Sequence, residues 1–234
     1  MCFCTERRTF RRVLIFYIRK KKMNFDRKNC LLYAVTDRSW LRGQTLEEQV
    51  EAALRGGVTM VQLREKELAE DAFEREARRI QALCRSYNVP LLINDNVELA
   101  RRIDADGVHV GQSDMVAGKV REYLGPDKII GVTAKTVGQA LAAQEAGADY
   151  LGSGAVFGSS TKQDAVPLDL DHFQEICESV SIPVVAIGGV NAGNMAQLRG
   201  RKMSGFAVVS GIFAAQDIER ETAKLLELAR QLVE

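Results

Sequence analysis

From residue 31 onward the chain alternates short apolar runs with longer amphipathic stretches. Residues 31–36 (LLYAVT), 58–64 (VTMVQLR), 91–93 (LLI), 107–110 (GVHV), 128–132 (KIIGV), 150–154 (YLGSG), 182–187 (IPVVAI) and 205–209 (GFAVV) are aliphatic and rich in β-branched residues. Turn or cap residues bound each run, which marks them as strands. Helical patterns lie between them. Thr45 opens the first, with Glu48 three residues on completing a capping box. A charged helix follows over residues 70–84, and another joins the third and fourth strands. Thr136 begins an Ala-rich helix that ends at Gly147, and further patterns cover residues 170–180, 194–198 and 218–232. Eight strands, each followed by a helix and with no linker-like break, is the count of a closed, single-domain (β/α)8 barrel. A doubly wound open sheet is the rival, since one missed strand would spoil the count. The phosphate-binding signals below favour the barrel.

The stretch 91–114 organises the rest. Two parallel strands joined by a crossover helix finish on one edge of their sheet, so Asn94, Asp95 and Asp114 should converge there. Two carboxylates beside an Asn form a hard-oxygen site suited to Mg2+, which keeps some water and takes other ligands from phosphate. The competing reading makes Asp95 and Asn96 caps of the following helix and Asp114 the cap of the next.

In the second strand, alternation places Met60, Gln62 and Arg64 on one face and Val61 and Leu63 on the other. The apolar pair suits packing against outer helices. Gln62, Arg64 and the adjoining Lys66 then rise inside the barrel toward its C-terminal mouth, an amide and two cations fit for an anion. A salt-bridged rim arginine is the plain alternative, with Asp95 or Asp114 as its partner. After the sixth strand, residues 152–162 (GSGAVFGSSTK) relax the backbone with three glycines and present Ser159, Ser160, Thr161 and Lys162, groups that hold phosphate oxygens. The loop runs on to Pro167, the length of a lid, although a Ser-rich surface loop would read the same way. Gly188-Gly189 after strand seven and Ser210-Gly211 after strand eight aim backbone N–H groups at one point. Barrels commonly bind phosphate there.

Composition narrows this picture. At 234 residues and 46% hydrophobic content the chain can bury a large core. Five scattered cysteines (Cys2, Cys4, Cys30, Cys84, Cys177) with no CxxC pair and only two histidines argue against a disulfide framework or a structural zinc. They fit a reducing cytoplasm. No apolar run reaches bilayer-spanning length. The net charge of +1 hides a division: residues 1–22 carry eight Lys or Arg against Glu6, which leaves 24 basic and 30 acidic residues in the remainder. The extension could be a tail for anionic surfaces or nucleic acid. We adopt the plainer reading that Met23 is the working start, with residues 1–22 outside the fold and 23–234 forming the barrel. The expected partners are small molecules, with no nucleic acid or membrane; homo-oligomer formation is left open.

Eight motifs in order, YAVTD (33–37), VQLREK (61–66), IND (93–95), DGVHVGQSD (106–114), GVT (131–133), DY (149–150), TK (161–162) and AIGG (186–189), resemble the thiamine phosphate synthase family. The resemblance covers residues 31–215 and implies a TIM barrel. It implies an enzyme that joins 4-amino-5-hydroxymethyl-2-methylpyrimidine diphosphate to 4-methyl-5-(2-phosphoethyl)thiazole with Mg2+, giving thiamine phosphate and pyrophosphate. Position by position it implies Asp95 and Asp114 as metal ligands, Arg64, Lys66, Asn94, Thr133 and Lys162 on the diphosphate, and Gln62 facing the pyrimidine. Ser159, Thr161, Gly189, Val209 and Ser210 would hold the thiazole phosphate. Arg64, Lys66, Thr133 and Lys162 are the catalytic candidates, while His109 is read as packed and hydrogen-bonded. The chain departs from the family pattern at Thr133 (usually Ser), Lys135 (commonly His) and Gly158-Ser159 (usually Pro-Thr). A thiazole tautomerase-like relative and a phosphate-binding regulator without turnover are the alternatives. The joint presence of Arg64, Lys66, Asp95, Asp114 and Lys162 argues against the first.

Overall fold

The computed structural model describes residues 25–111, 117–158 and 167–233. Eight parallel strands close into one barrel in chain order: β1 (Leu32–Val35), β2 (Met60–Leu63), β3 (Leu91–Asn94), β4 (Gly107–Val110), β5 (Ile129–Thr133), β6 (Tyr150–Gly154), β7 (Val184–Ile187) and β8 (Gly205–Val208). β8 returns to β1, with Phe206 opposite Leu32 and Ala207 opposite Tyr33, which excludes the open sheet. A purely parallel sheet must be covered on both faces, and strand alternation achieves it. Val61, Leu63, Leu91, Ile93, Val108 and Val110 point outward into the layer shared with the helices. Tyr33, Val35, Met60, Leu92, Ile129, Tyr150, Val185 and Ala207 fill the interior.

The covering helices are α1 (Leu46–Arg55), α2 (Glu70–Ser86), α3 (Val97–Ile103), α4 (Ala117–Leu124), α5 (Val137–Glu145), α6 (Leu170–Ser179), the single turn α7 (Ser210–Phe213) and α8 (Ile218–Leu232). The expected caps start them. Thr45 Oγ1 accepts from Glu48 N at 3.2 Å while Glu48 accepts from Thr45 N at 2.7 Å, and Thr136 accepts from Gln139 N at 3.2 Å. After β7 the helical pattern is only a 3-10 turn, Met195–Leu198. Arg199 is extended and Gly200 turns left-handed at φ +77, so no room remains for an α-helix. Strands two and seven begin two residues later than their apolar runs. Val58 and Ile182 lie in the preceding loops yet still pack on the outer core.

The two ends of the barrel differ. At the N-terminal end Cys30 is buried in the inner cluster and Phe25 packs on Tyr150 with ring centroids 6.0 Å apart. The 3-10 turn Arg27–Cys30 carries this plug, tied to the segment before β8 by Arg27 Nε donating to Ser204 Oγ at 2.9 Å. The polar residues that end the strands collect at the opposite mouth. The basic extension 1–22 lies outside the described residues.

Candidate active site

The strand ends bring most of the predicted residues to one rim. Asn94 ends β3, and its Nδ2 donates to Asp95 Oδ2 at 2.6 Å. Asp95 takes a left-handed conformation (φ +59), and its N–H donates to His109 O at 2.9 Å. This region is sparsely used by residues other than glycine, though Asp tolerates it. The turn bears out one part of the capping reading, that for Asn96. Asn96 is the cap of α3, accepting from Leu99 N at 2.8 Å, and Asp95 stays exposed at the mouth ahead of it. Asp114 lies outside the described residues. Among the described residues no group of three or more His, Cys, Asp or Glu could hold a metal by itself.

Gln62 points into the barrel as alternation predicts and is 4% exposed, with Nε2 donating to Tyr33 OH at 2.5 Å. Arg64 follows on the same face and is salt-bridged, as the plain alternative had it, through a carboxylate that reading did not name. The guanidinium pairs with Asp37, Nη1 to Oδ2 at 3.1 Å. Asp37 follows β1 and Asp95 follows β3, the two strands that flank β2 in the sheet. The other Asp37 oxygen caps the 3-10 turn Arg38–Trp40 through Ser39 N at 2.9 Å.

Lys66 is exposed, and its backbone is held by its neighbour. Glu65 Oε1 accepts from the amides of Lys66 (2.7 Å), Glu67 (2.8 Å) and Leu68 (3.3 Å). Its Oε2 pairs with Arg38, whose Nη2 also reaches both oxygens of Glu76 at 2.5 and 2.6 Å. Burial raises the Glu65 carboxyl, but Arg38 and these amides more than reverse that and hold it below its ordinary value. For Glu76 burial outweighs Arg38 and the carboxyl is raised. Roles for Asp37, Arg38, Glu65 and Glu76 went unread in the sequence. One signal was present: Glu76 lies on the stripe of Phe73, Ala77 and Ile80 that α2 buries.

Thr133 ends β5, half-buried, with Oγ1 3.0 Å from His109 Nε2. His109 is 8% exposed and reaches Tyr150 OH through Nδ1 at 2.8 Å, the packed, hydrogen-bonded role expected of it. On the far side of the rim, β7 is followed by Gly188 (φ +96) and Gly189 (φ +66). A side chain at Gly189 would come within 2.6 Å of Phe157 O, so the left-handed turn and the close approach both require glycine. Asn191 and Asn194 donate to Gly189 O at 3.0 and 2.8 Å and hold the turn in place. Val209 caps the turn α7, which Ser210 begins, and no side chain caps that end. Ser159, Thr161 and Lys162 lie outside the described residues.

Comparison with known proteins gives the family. The family profile described as thiamine monophosphate synthase matches residues 32–212. The chain is 49% identical over 197 residues to a thiamine-phosphate synthase of Ruminiclostridium cellulolyticum, covering 84% of this chain and 94% of that protein. It is 46% identical to one from Clostridium botulinum, covering 84% and 92%. Among solved structures it is similar to a thiamine phosphate pyrophosphorylase from Pyrococcus furiosus, with a TM-score of 0.82 and 35% identity over 89% of this chain and 99% of that one.

Proposed function

The chain belongs to the thiamine monophosphate synthase family and has its activity, and we propose that the C-terminal mouth performs it with Mg2+ and the residues named above. The reaction condenses 4-amino-5-hydroxymethyl-2-methylpyrimidine diphosphate with 4-methyl-5-(2-phosphoethyl)thiazole to give thiamine phosphate and pyrophosphate. The synthase activity replaces both the tautomerase-like and the regulator alternatives. One observation carries the assignment of the site: Gln62, Arg64, Asn94, Asp95 and Thr133 end or follow β2, β3 and β5 on the rim where Gly189, Val209 and Ser210 follow β7 and β8.

In this reading Arg64, Lys66, Asn94, Thr133 and Lys162 hold the diphosphate, and Gln62 faces the pyrimidine. Ser159, Thr161, Gly189, Val209 and Ser210 hold the thiazole phosphate. The aminopyrimidine pushes electrons toward its methylene carbon, so the bond to the diphosphate oxygen breaks ahead of attack by the thiazole nitrogen. The charge to be stabilised then accumulates on departing pyrophosphate, and Arg64, Lys66 and Lys162 meet it. The thiazole nitrogen is already an unprotonated nucleophile. No general base is required, and fixing its phosphate tail supplies proximity.

A divalent cation fits the donor chemistry. Asn94 and Asp95 offer oxygen, and Asp95 with Asp114 would hold the ion while water and substrate phosphate would complete a set that Mg2+ favours. Charge neutralisation on the diphosphate is what Mg2+ supplies there. Among the described residues no helix is long and apolar enough to cross a membrane. We place the enzyme in a reducing cytoplasm on the strength of Cys30, Cys84 and Cys177, free buried thiols that burial pushes up to about 12.

The test is pyrophosphate release by the whole chain with each substrate alone and with both, in Mg2+ and after EDTA. Release needing both substrates and lost with the metal is the expected result. Undiminished turnover in EDTA would remove Mg2+ and Asp95 from the proposal.

A further inference from the structure

A chain of polar side chains runs through the barrel interior and ends at both substrate-facing positions. Gln62 Nε2 donates to Tyr33 OH at 2.5 Å, Tyr33 OH meets Tyr150 OH at 2.8 Å, Tyr150 OH meets His109 Nδ1 at 2.8 Å, and His109 Nε2 meets Thr133 Oγ1 at 3.0 Å. Tyr33 and Tyr150 are wholly buried among Val35, Met60, Leu92, Ile129 and Val185. Two phenols side by side in an apolar barrel core cost stability unless each is satisfied. β5 makes room for them, since a side chain on Gly131 would stand 2.1 Å from Tyr150 Cζ.

Proton counting gives the chain a direction. A phenol has one proton to donate, and burial pushes both phenols above their usual range, so each keeps it. Tyr33 accepts from the Gln62 amide and must donate to Tyr150. Tyr150, having accepted, must donate to His109 Nδ1. The neutral imidazole therefore carries its proton on Nε2 and donates to Thr133 Oγ1. The Thr133 hydroxyl proton is then directed away from His109, and Gln62 turns Oε1 away from Tyr33. Reversing any one link reverses every link, presenting the Gln62 NH2 at one end and only an acceptor oxygen from Thr133 at the other.

We propose that this buried chain sets the hydrogen-bond polarity of both its ends, making Gln62 an acceptor toward the pyrimidine amine and Thr133 a donor toward the diphosphate. Tyr33 and Tyr150 are thus positioning residues that touch neither substrate. The inference rests on the substrate assignments of Gln62 and Thr133 above. It explains why an imidazole and two phenols lie in line inside a barrel whose chemistry needs no base. This polarity is the one that suits an amine at one end and phosphate oxygens at the other.

The experiment has two arms. In the whole chain labelled with 15N-histidine, NMR locates the imidazole proton of His109, with His172→Gln assigning the half-exposed second histidine. The proton is expected on Nε2, and in Tyr150→Phe the Nδ1-protonated form should appear. In the kinetic arm, Tyr33→Phe and Tyr150→Phe should each raise KM for the pyrimidine diphosphate about tenfold, as one misdirected hydrogen bond would, while KM for the thiazole phosphate stays put. A His109 proton on Nδ1 in the native protein overturns the proposal, as do unchanged KM values in both Phe variants. Should a Phe variant fail to fold, the native spectrum still decides the direction. If the native protein makes no thiamine phosphate, the functional reading fails while the tautomer result stands separately.

Discussion

Three adjacent side chains, Asn94, Asp95 and Asn96, divide into separate duties, and substitution should separate them. Asn96→Ala removes the acceptor for Leu99 N and should cost about 1 kcal/mol of stability, read by chemical denaturation, with turnover nearly intact. Asp95→Ala should do the reverse: little change in denaturation, and turnover lower by at least about the 10- to 100-fold that even supporting residues of metal sites contribute. Equal losses of stability in the two variants would return Asp95 to a structural role. The sequence could not make this division, because either oxygen side chain could cap the helix and only the left-handed turn at Asp95 selects Asn96. Gly131 was equally opaque. It reads as an unremarkable strand glycine, and its necessity comes from a tyrosine on the neighbouring strand, a through-space fact absent from local pattern. Gly131→Ala should cost about 1–3 kcal/mol by overpacking, lowering Tm. A neutral substitution would mean that the Tyr150 ring can move aside.

At the scale of elements, the turn leaving β2 shows how a loop is made rigid enough to present charge. Glu65 gathers the amides of Lys66, Glu67 and Leu68, and Arg38 clamps that carboxylate to Glu76 on α2, so the loop after β1, the loop after β2 and α2 share one guanidinium. Arg38→Ala leaves two largely buried carboxylates without their cation and should cost roughly 3 kcal/mol, the low end for a broken buried pair because Arg38 keeps some exposure. Turnover should fall with it as the Lys66 segment loosens, whereas stability loss with unchanged kcat would limit the clamp to folding. The two carboxylates respond oppositely to acid. The folded Glu65 value is depressed, so its contribution is present above the ordinary value of 4.5 and is lost as pH falls through the folded value. Glu76 is raised, so its penalty applies once it is ionised and lifts in acid. Glu65→Gln should therefore be less stable than the native protein at neutral pH, with the gap closing as pH drops below about 4. Sequence periodicity located β2, α2 and the inward path of Gln62 and Arg64, because these follow from alternation within one strand. It did not name Asp37 as a partner of Arg64, because a salt bridge between neighbouring loops depends on how far each loop reaches.

For the whole molecule, the order of strands and helices was legible because each element carries its own period, and closure followed from counting eight of them. The plug at the N-terminal end was not legible: Phe25 and Cys30 belong to no repeat, and their burial depends on the barrel being closed above them. That plug sharpens the boundary with the basic extension. Every strand pairing of the barrel is made among the described residues. The match to the Ruminiclostridium cellulolyticum relative spans 94% of that protein but 84% of this chain. The strong positive charge of residues 1–22 also stands apart from an acidic body. Removing residues 1–22 should thus leave Tm and kcat unchanged. Phe25→Ala, three residues past that cut, should lower Tm by several degrees: a partly buried ring is worth roughly 2 kcal/mol, and each kcal/mol moves Tm by about 2–4 °C at this size. Since Phe25 stacks on Tyr150 at the base of the interior hydrogen-bond chain, the same variant should raise KM for the pyrimidine diphosphate more than for the thiazole phosphate. Thermal melts and initial rates on the two proteins side by side check this. A truncated protein that melts early would place the fold boundary ahead of Met23 and make the basic segment part of the barrel's support.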